Sequence, residues 1–171
     1  NITDFTTGTG NWGATLFVGN VYNLAVADTL TSVSVGLAGG DSSVELNRIG
    51  IAIYKVEADG KTLGMQLYSK TMNRGLGGGF TNIEFDPMIL QPGKYFFEVQ
   101  QLETSNMGLC VDAESPDNYC YENVNGVLVL TTGVTFAIRA NFAHGAAVYA
   151  VDAAVDEWIA PERKEMLYSS D

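Results

Sequence analysis

The sequence predicts an all-β chain, an antiparallel jelly-roll β-sandwich of about ten strands over residues 1–144, and three observations carry that reading. Apolar residues recur at every second position in several segments, the period of a half-buried strand. Turn signals separate these segments at intervals of roughly 8 to 12 residues, the spacing of sandwiches and jelly rolls. Nineteen glycines against four prolines, with 17% charged residues, describe short strands joined by glycine turns and argue against disorder. A chain of 171 residues can bury roughly 70% of its unfolded surface, so its core depends on neither disulfides nor metals.

Taken in order, "DTLTSVSVGL" sets Thr31, Val33, Val35 and Leu37 on one face and Leu30, Ser32, Ser34 and Gly36 on the other. "RIGIAIYKV" aligns Ile49, Ile51 and Ile53. Asp59-Gly60 predicts a tight hairpin, because this pair supplies the positive φ angles such a turn needs. "RGLGGGF", Arg74 to Phe80, reads as a flexible loop. It has the glycines of a phosphate cradle but neither the Lys-Ser/Thr ending nor a following helix, which excludes that use.

In "NIEFDP", Ile83 and Phe85 face inward while Glu84 and Asp86 share the outward face. Pro92-Gly93 suits a type II turn launching "KYFFEVQQL", where Tyr95, Phe97 and Val99 oppose Phe96, Glu98 and Gln100. Asn125-Gly126 predicts another hairpin. "GVTFAIRANF" then turns Val134, Phe136, Ile138 and Ala140 inward against Thr135, Ala137, Arg139 and Asn141. Residues 145–171 change character: Val148, Val151, Val155 and Trp158 lie near helical spacing, whereas Tyr149, Val151, Ala153 and Val155 would share a strand face. Pro161 and "ERKE" end either pattern, and the segment is read as a linker or the start of a following domain.

The order of these pieces resembles a known module. "NWGATLFVGNVYNL", "TLTSVSVGL", "IGIAIYKVEADGKTLGMQLYSKTM", "FTNIEFDPMILQPGKYFFEVQQ", "NMGLCVD" and "FAIRANF" are similar to a jelly-roll β-sandwich of Bacteroidetes, over roughly residues 11 to 143. Such modules occur in large exported, cell-surface or secreted proteins, many of them type IX secretion cargo. "VDAAVDEWIAP" resembles the opening strand of the immunoglobulin-like repeat that often follows. The resemblance implies a fold and a surface setting, and it implies no fixed active site.

A net charge of −11 repels phosphate backbones and anionic membranes, which argues against a nucleic-acid partner. No apolar run approaches the roughly 18 residues needed to cross a bilayer, so direct membrane insertion is not expected. There is no basic-then-apolar leader and the first residue is Asn1, which reads as a mature or excised fragment.

Both cysteines bracket one acidic segment, "CVDAESPDNYC". Their spacing predicts a local Cys110–Cys120 disulfide, an oxidising compartment, and an extracellular or bacterial cell-surface location, with reduced cysteines in a cytosolic protein as the alternative. Such a staple would contribute about 2–3 kcal/mol. Inside it, Asp112, Glu114 and Asp117 offer hard oxygen ligands of the kind calcium takes, although the spacing is not that of an EF-hand. Tyr119, Tyr121 and Trp12, with Asn118, are the ligand-binding candidates: flat rings stack on apolar sugar faces while amides and acids bond the hydroxyls. Core packing is the commoner role for a residue such as Trp12.

Catalytic signals are thin. His144 is the single histidine, with no nucleophile-elbow pattern and no further ligands for zinc. Glu84 and Asp86 have the projection of a glycosidase carboxylate pair, and also that of an ordinary polar face. The expectation is therefore a non-catalytic, surface-exposed binding or adhesion module of a larger exported bacterial protein, with glycans as ligands and neighbouring domains or surface proteins of the same assembly as partners. A structural spacer or assembly domain is the alternative, and a carboxylate-dependent glycan-active enzyme stands third.

Overall fold

Ile49, Ile51 and Ile53 are all buried, and the strand that carries them, β3 (Arg48–Val56), lies between β4 (Leu63–Asn73) and β6 (Gly93–Gln101). The computed structural model describes residues 8–11, 13–41, 45–112, 119–143 and 148–149. β6 pairs onward with β1 (Leu16–Leu24), β1 with β8 (Cys120–Val124), and β8 with β9 (Val127–Leu130). These six strands form one antiparallel sheet in the order β4-β3-β6-β1-β8-β9. A second sheet holds β2 (Asp28–Leu37) between β5 (Gly79–Leu90) and β11 (Ile138–Phe142). β7 (Val111–Asp112) and β10 (Thr135–Phe136) make a separate pair, and the short β12 (Val148–Tyr149) joins β1 at Asn23 and Leu24.

Apolar side chains from the two larger sheets meet in one core. Val18, Phe97, Val99 and the β3 isoleucines come from the first sheet, and Leu30, Val33, Val35, Ile83 and Ile138 from the second. Each fully buried side chain of this kind contributes about 1.5–3 kcal/mol, so the core is the main force holding the sheets together. The all-β, antiparallel character read from the two-residue period is what the chain adopts.

Three local readings need correction. Strict alternation put Leu30 opposite Val33, yet both are buried, because the β2–β5 register slips between Leu30 and Ser32 and the bulge turns Leu30 inward. The segment of Phe96 and Glu98 was read as half-buried, but these two are as buried as Tyr95, Phe97 and Val99 on the opposite face. The glycine-rich stretch is not a loose loop: Gly78 donates to the Leu37 carbonyl, and Gly40 donates to that of Leu76. Gly77 sits so close to Ala38 that a Cβ there would come within 2.2 Å of the carbonyl oxygen. Arg74, itself buried, closes this end by donating to the carbonyls of Met107, Gly75 and Ala38.

The two predicted hairpins differ: at Asp59-Gly60 only Gly60 takes positive φ, 73°, and the turn is a longer one that runs between Val56 and Leu63. Asp59 accepts from the Lys61 and Thr62 amides at 2.9 and 2.8 Å and from the Thr62 hydroxyl at 2.5 Å, capping the β3–β4 turn. Asn125 and Gly126 both take positive φ, 53° and 85°, the pair of values that a two-residue type I′ hairpin requires between β8 and β9.

The large sheet does not end freely at both sides. Thr62 bridges Val127, Leu63 donates to the Gly126 carbonyl at 2.9 Å, and Leu128 donates to that of Lys61 at 2.8 Å. The sheet is thus curled until its first and last strands touch, and its outer face becomes concave. Val21, Val56, Phe96 and Leu128 fill part of that concavity as a second small core, which is why Phe96 is buried on the side turned away from the main one. Of residues 145–171, only the β12 backbone pair falls among the described residues.

Candidate functional site

The predicted disulfide is absent: Cys110 and Cys120 are both buried and are not bonded to each other. The Cys110 amide donates to Gly36 and its carbonyl accepts from Ala137, which ties it to the second sheet beside Ala38 and Ala137. Cys120 lies on β8 of the first sheet, opposite Asn20 of β1, and packs into the main core. Facing sheets stand about 10 Å apart, and a disulfide needs its Cα atoms within about 7 Å.

The rest of that segment is divided. Glu114, Asp117 and Asn118, like Trp12 and His144, lie outside the described residues. Asp112 is half-buried and pairs with Thr135 across β7 and β10. Among the described residues no three His, Cys, Asp or Glu side chains gather where they could hold a metal ion. Tyr119 packs against the main core, its ring 6.2 Å from that of Tyr22, whereas Tyr121 packs against the second cluster around Phe96. The two rings therefore do not form one platform. Glu84 and Asp86 stand exposed on β5, where Glu84 accepts from Asn82 at 3.4 Å.

What the fold does bring together is the outer face of the curled sheet. Cross-strand register places Ala52, Glu98, Gly19 and Tyr121 in one row from β3 to β8. The adjacent row holds Gly50, Gln100 and Phe17, and Phe17 and Asn123 line one groove. Small residues on either side leave the larger side chains room to lie along the sheet. A Cβ on Gly19 would come 2.1 Å from the Phe97 carbonyl oxygen and 2.8 Å from the Phe96 ring.

Glu98 is the unusual member, a carboxylate only 1% exposed on a face turned away from the main core. Gln100 donates to its Oε1 at 2.5 Å, and Asn123 donates to its Oε2 at 2.6 Å. Desolvation raises its pKa above the ordinary 4.5, and the two amide bonds offset part of that rise. Burial also pushes the nearby Tyr54 hydroxyl up, with the Glu98 charge adding to the effect. Both amides are thereby fixed in orientation: the Asn123 side-chain oxygen accepts from the Gly126 amide at 2.8 Å, so its nitrogen must point the other way. Each primary amide has two N–H donors, and one is spent on Glu98.

Beside this set runs a groove of about 250 Å³ between the start of β1 and the β8–β9 hairpin, lined by Thr15, Phe17, Asn123 and Asn125 among others. A half-buried aromatic ring flanked by oriented amides can offer stacking and directed hydrogen bonds to a neutral polar ligand. Tyr121 was readable from the sequence, but Phe17, Tyr54, Glu98, Gln100 and Asn123 were not, because their proximity comes from pairing between strands remote in the chain. No protein-family model, curated protein or solved structure matches this chain.

Proposed function

We propose that this chain is a non-catalytic glycan-binding module of the jelly-roll type, working on the outside of the cell as part of a larger exported protein. The observation that carries the reading is the Phe17 ring beside the Gln100 and Asn123 amides, both held by buried Glu98 on the concave outer face. Aromatic stacking with a few fixed polar groups is how a concave site orients a sugar. Glu98 acts here as a positioning residue, since it is too enclosed to be the ligand's main contact. The exported setting rests on the resemblance of residues 11 to 143 to surface modules.

A glycan-array screen, run with calcium and again with chelator, tests this. The expected result is a reproducible hit that Phe17→Ala and Asn123→Ala each weaken at least ten-fold with the fold intact. A hit unaffected by both substitutions, or silence throughout, would sink the reading. Loss on chelation would assign a calcium role to the 110–121 segment.

A spacer or assembly domain is the second reading, and a specific observation favours it. Val124, Val127 and Val129 share one face of the β8–β9 hairpin and Leu130 lies on the other, all 44–49% exposed, an apolar edge suited to a neighbouring protein surface. Charged substitutions at Val129 and Leu130 would then disrupt assembly and leave any glycan hit untouched.

A further inference from the structure

We propose that the cavity between the sheets beside β8 is a second site, one that takes a small organic cation with an apolar body, a primary alkylammonium. Glu122 motivates it. On β8, Tyr121 and Asn123 face the outer side of the large sheet, while Cys120 and Glu122 face the side of the main core. Glu122 sits opposite Val18 on β1 and Val129 on β9, a carboxylate between two valines. It is half-buried, and none of the described residues gives it a hydrogen bond or an ion pair. Val18 beside it is buried and Val129 is half-exposed, so the Glu122 carboxylate stands at the mouth of the apolar space with no partner among the described residues, where a cation would compensate it.

The space it faces has a definite shape and chemistry. The cavity is about 240 Å³, with Leu16, Val18, Val111, Val134 and Phe136 forming an apolar wall. Its polar lining is Glu122 with Thr9 and Thr131. Thr9 is fixed there by a pair of backbone bonds with Leu109, at 2.6 and 2.9 Å, and Thr131 by one to the Cys120 carbonyl at 2.8 Å. One negative charge and two hydroxyls amount to three acceptors, the number an ammonium group can use with its three donors. The apolar wall suits a short aliphatic chain, and the chain-wide charge of −11 favours arrival of a cation over an anion. Glu122 and Leu16 also border the outer groove, so the two spaces share a wall.

The test is calorimetric titration of the whole chain with n-hexylammonium, hexan-1-ol and hexanoate. The expected order is hexylammonium at least ten-fold tighter than hexanol, with no binding of hexanoate. Glu122→Gln should bring hexylammonium down to the hexanol value. Val134→Trp, which fills the cavity and keeps the charge, should remove binding of both. Equal affinity for hexanol and hexylammonium would overturn the cationic specificity, and unaltered binding in Val134→Trp would overturn the cavity as its location. No binding by any of the three would overturn the site. A glycan hit that survives Glu122→Gln belongs to the outer face and bears only on the preceding proposal.

Discussion

Across β1 and β8, the Cys120 thiol donates to the Asn20 side-chain oxygen at 3.2 Å. Asn20 in turn donates to the Phe136 and Ile138 carbonyls at 3.0 and 3.3 Å, so one buried amide joins the large sheet to β10 and β11. Tyr22 adds a hydroxyl donated to the same Ile138 carbonyl, and burial raises its pKa to about 12.

This arrangement predicts that Asn20→Val is poorly tolerated. The substitution removes a donor from two carbonyls that water cannot reach, and the expected loss is about 2–3 kcal/mol in urea unfolding. An unchanged midpoint would mean the sheets are held without this bridge. The same geometry predicts that reducing agent leaves the melting temperature unaltered and that alkylation after denaturation adds two labels by mass.

Glu98 makes stability depend on pH in a defined direction. Its folded pKa lies above the ordinary 4.5, so between those two values the folded state binds the proton more readily than the unfolded chain. Its contribution is complete below pH 4.5 and is lost as pH rises through the folded value. Subtracting the melting curve of Glu98→Gln from that of the native chain, point by point from pH 4 to 7.5, should reveal a downward slope. A flat difference would place Glu98 in solvent.

Asp59 has the opposite sign. Its bonds to Thr62 and Lys61 lower its pKa from 3.8 to about 2, so its stabilisation is present above 3.8 and is lost as pH falls toward 2. Carboxyl-detected NMR should find this group titrating near 2, and in Thr62→Val nearer the ordinary value, because the largest contribution comes from Thr62.

Arg74 should be hard to replace. Arg74→Met strips a donor from the Ala38 and Met107 carbonyls, with an expected loss of about 2–4 kcal/mol. Arg74→Lys should recover only part, because an ammonium cannot reproduce the guanidinium fork. Chemical denaturation of both variants, with an unchanged m-value, measures it.

Strand identity was legible wherever the two-residue period reached a single core, as for Ile49, Ile51 and Ile53. It failed at Leu30, because a bulge is a property of the β2–β5 register and leaves no mark in the local pattern. It failed again at Phe96 and Glu98, where alternation correctly assigned the outer side but could not foresee that a remote hairpin would cover it. The cysteines misled for a related reason: nearness along the chain was read as nearness in space, although Cys110 is hydrogen-bonded to Gly36 beside the second sheet and Cys120 lies on β8 of the first. Tyr121 was found as a ring near acids, but the row it shares with Gly19, Glu98 and Ala52 draws on three other strands.

The contact between Thr62 and Val127 has a consequence for how the molecule breathes. Because the β3–β4 turn and the β8–β9 turn share two amide bonds, neither can lift away without releasing the other. Leu63 and Leu128, donors on the two sides of that seam, should therefore exchange their amide hydrogens at one common rate, as members of a single opening unit assembled from distant parts of the chain.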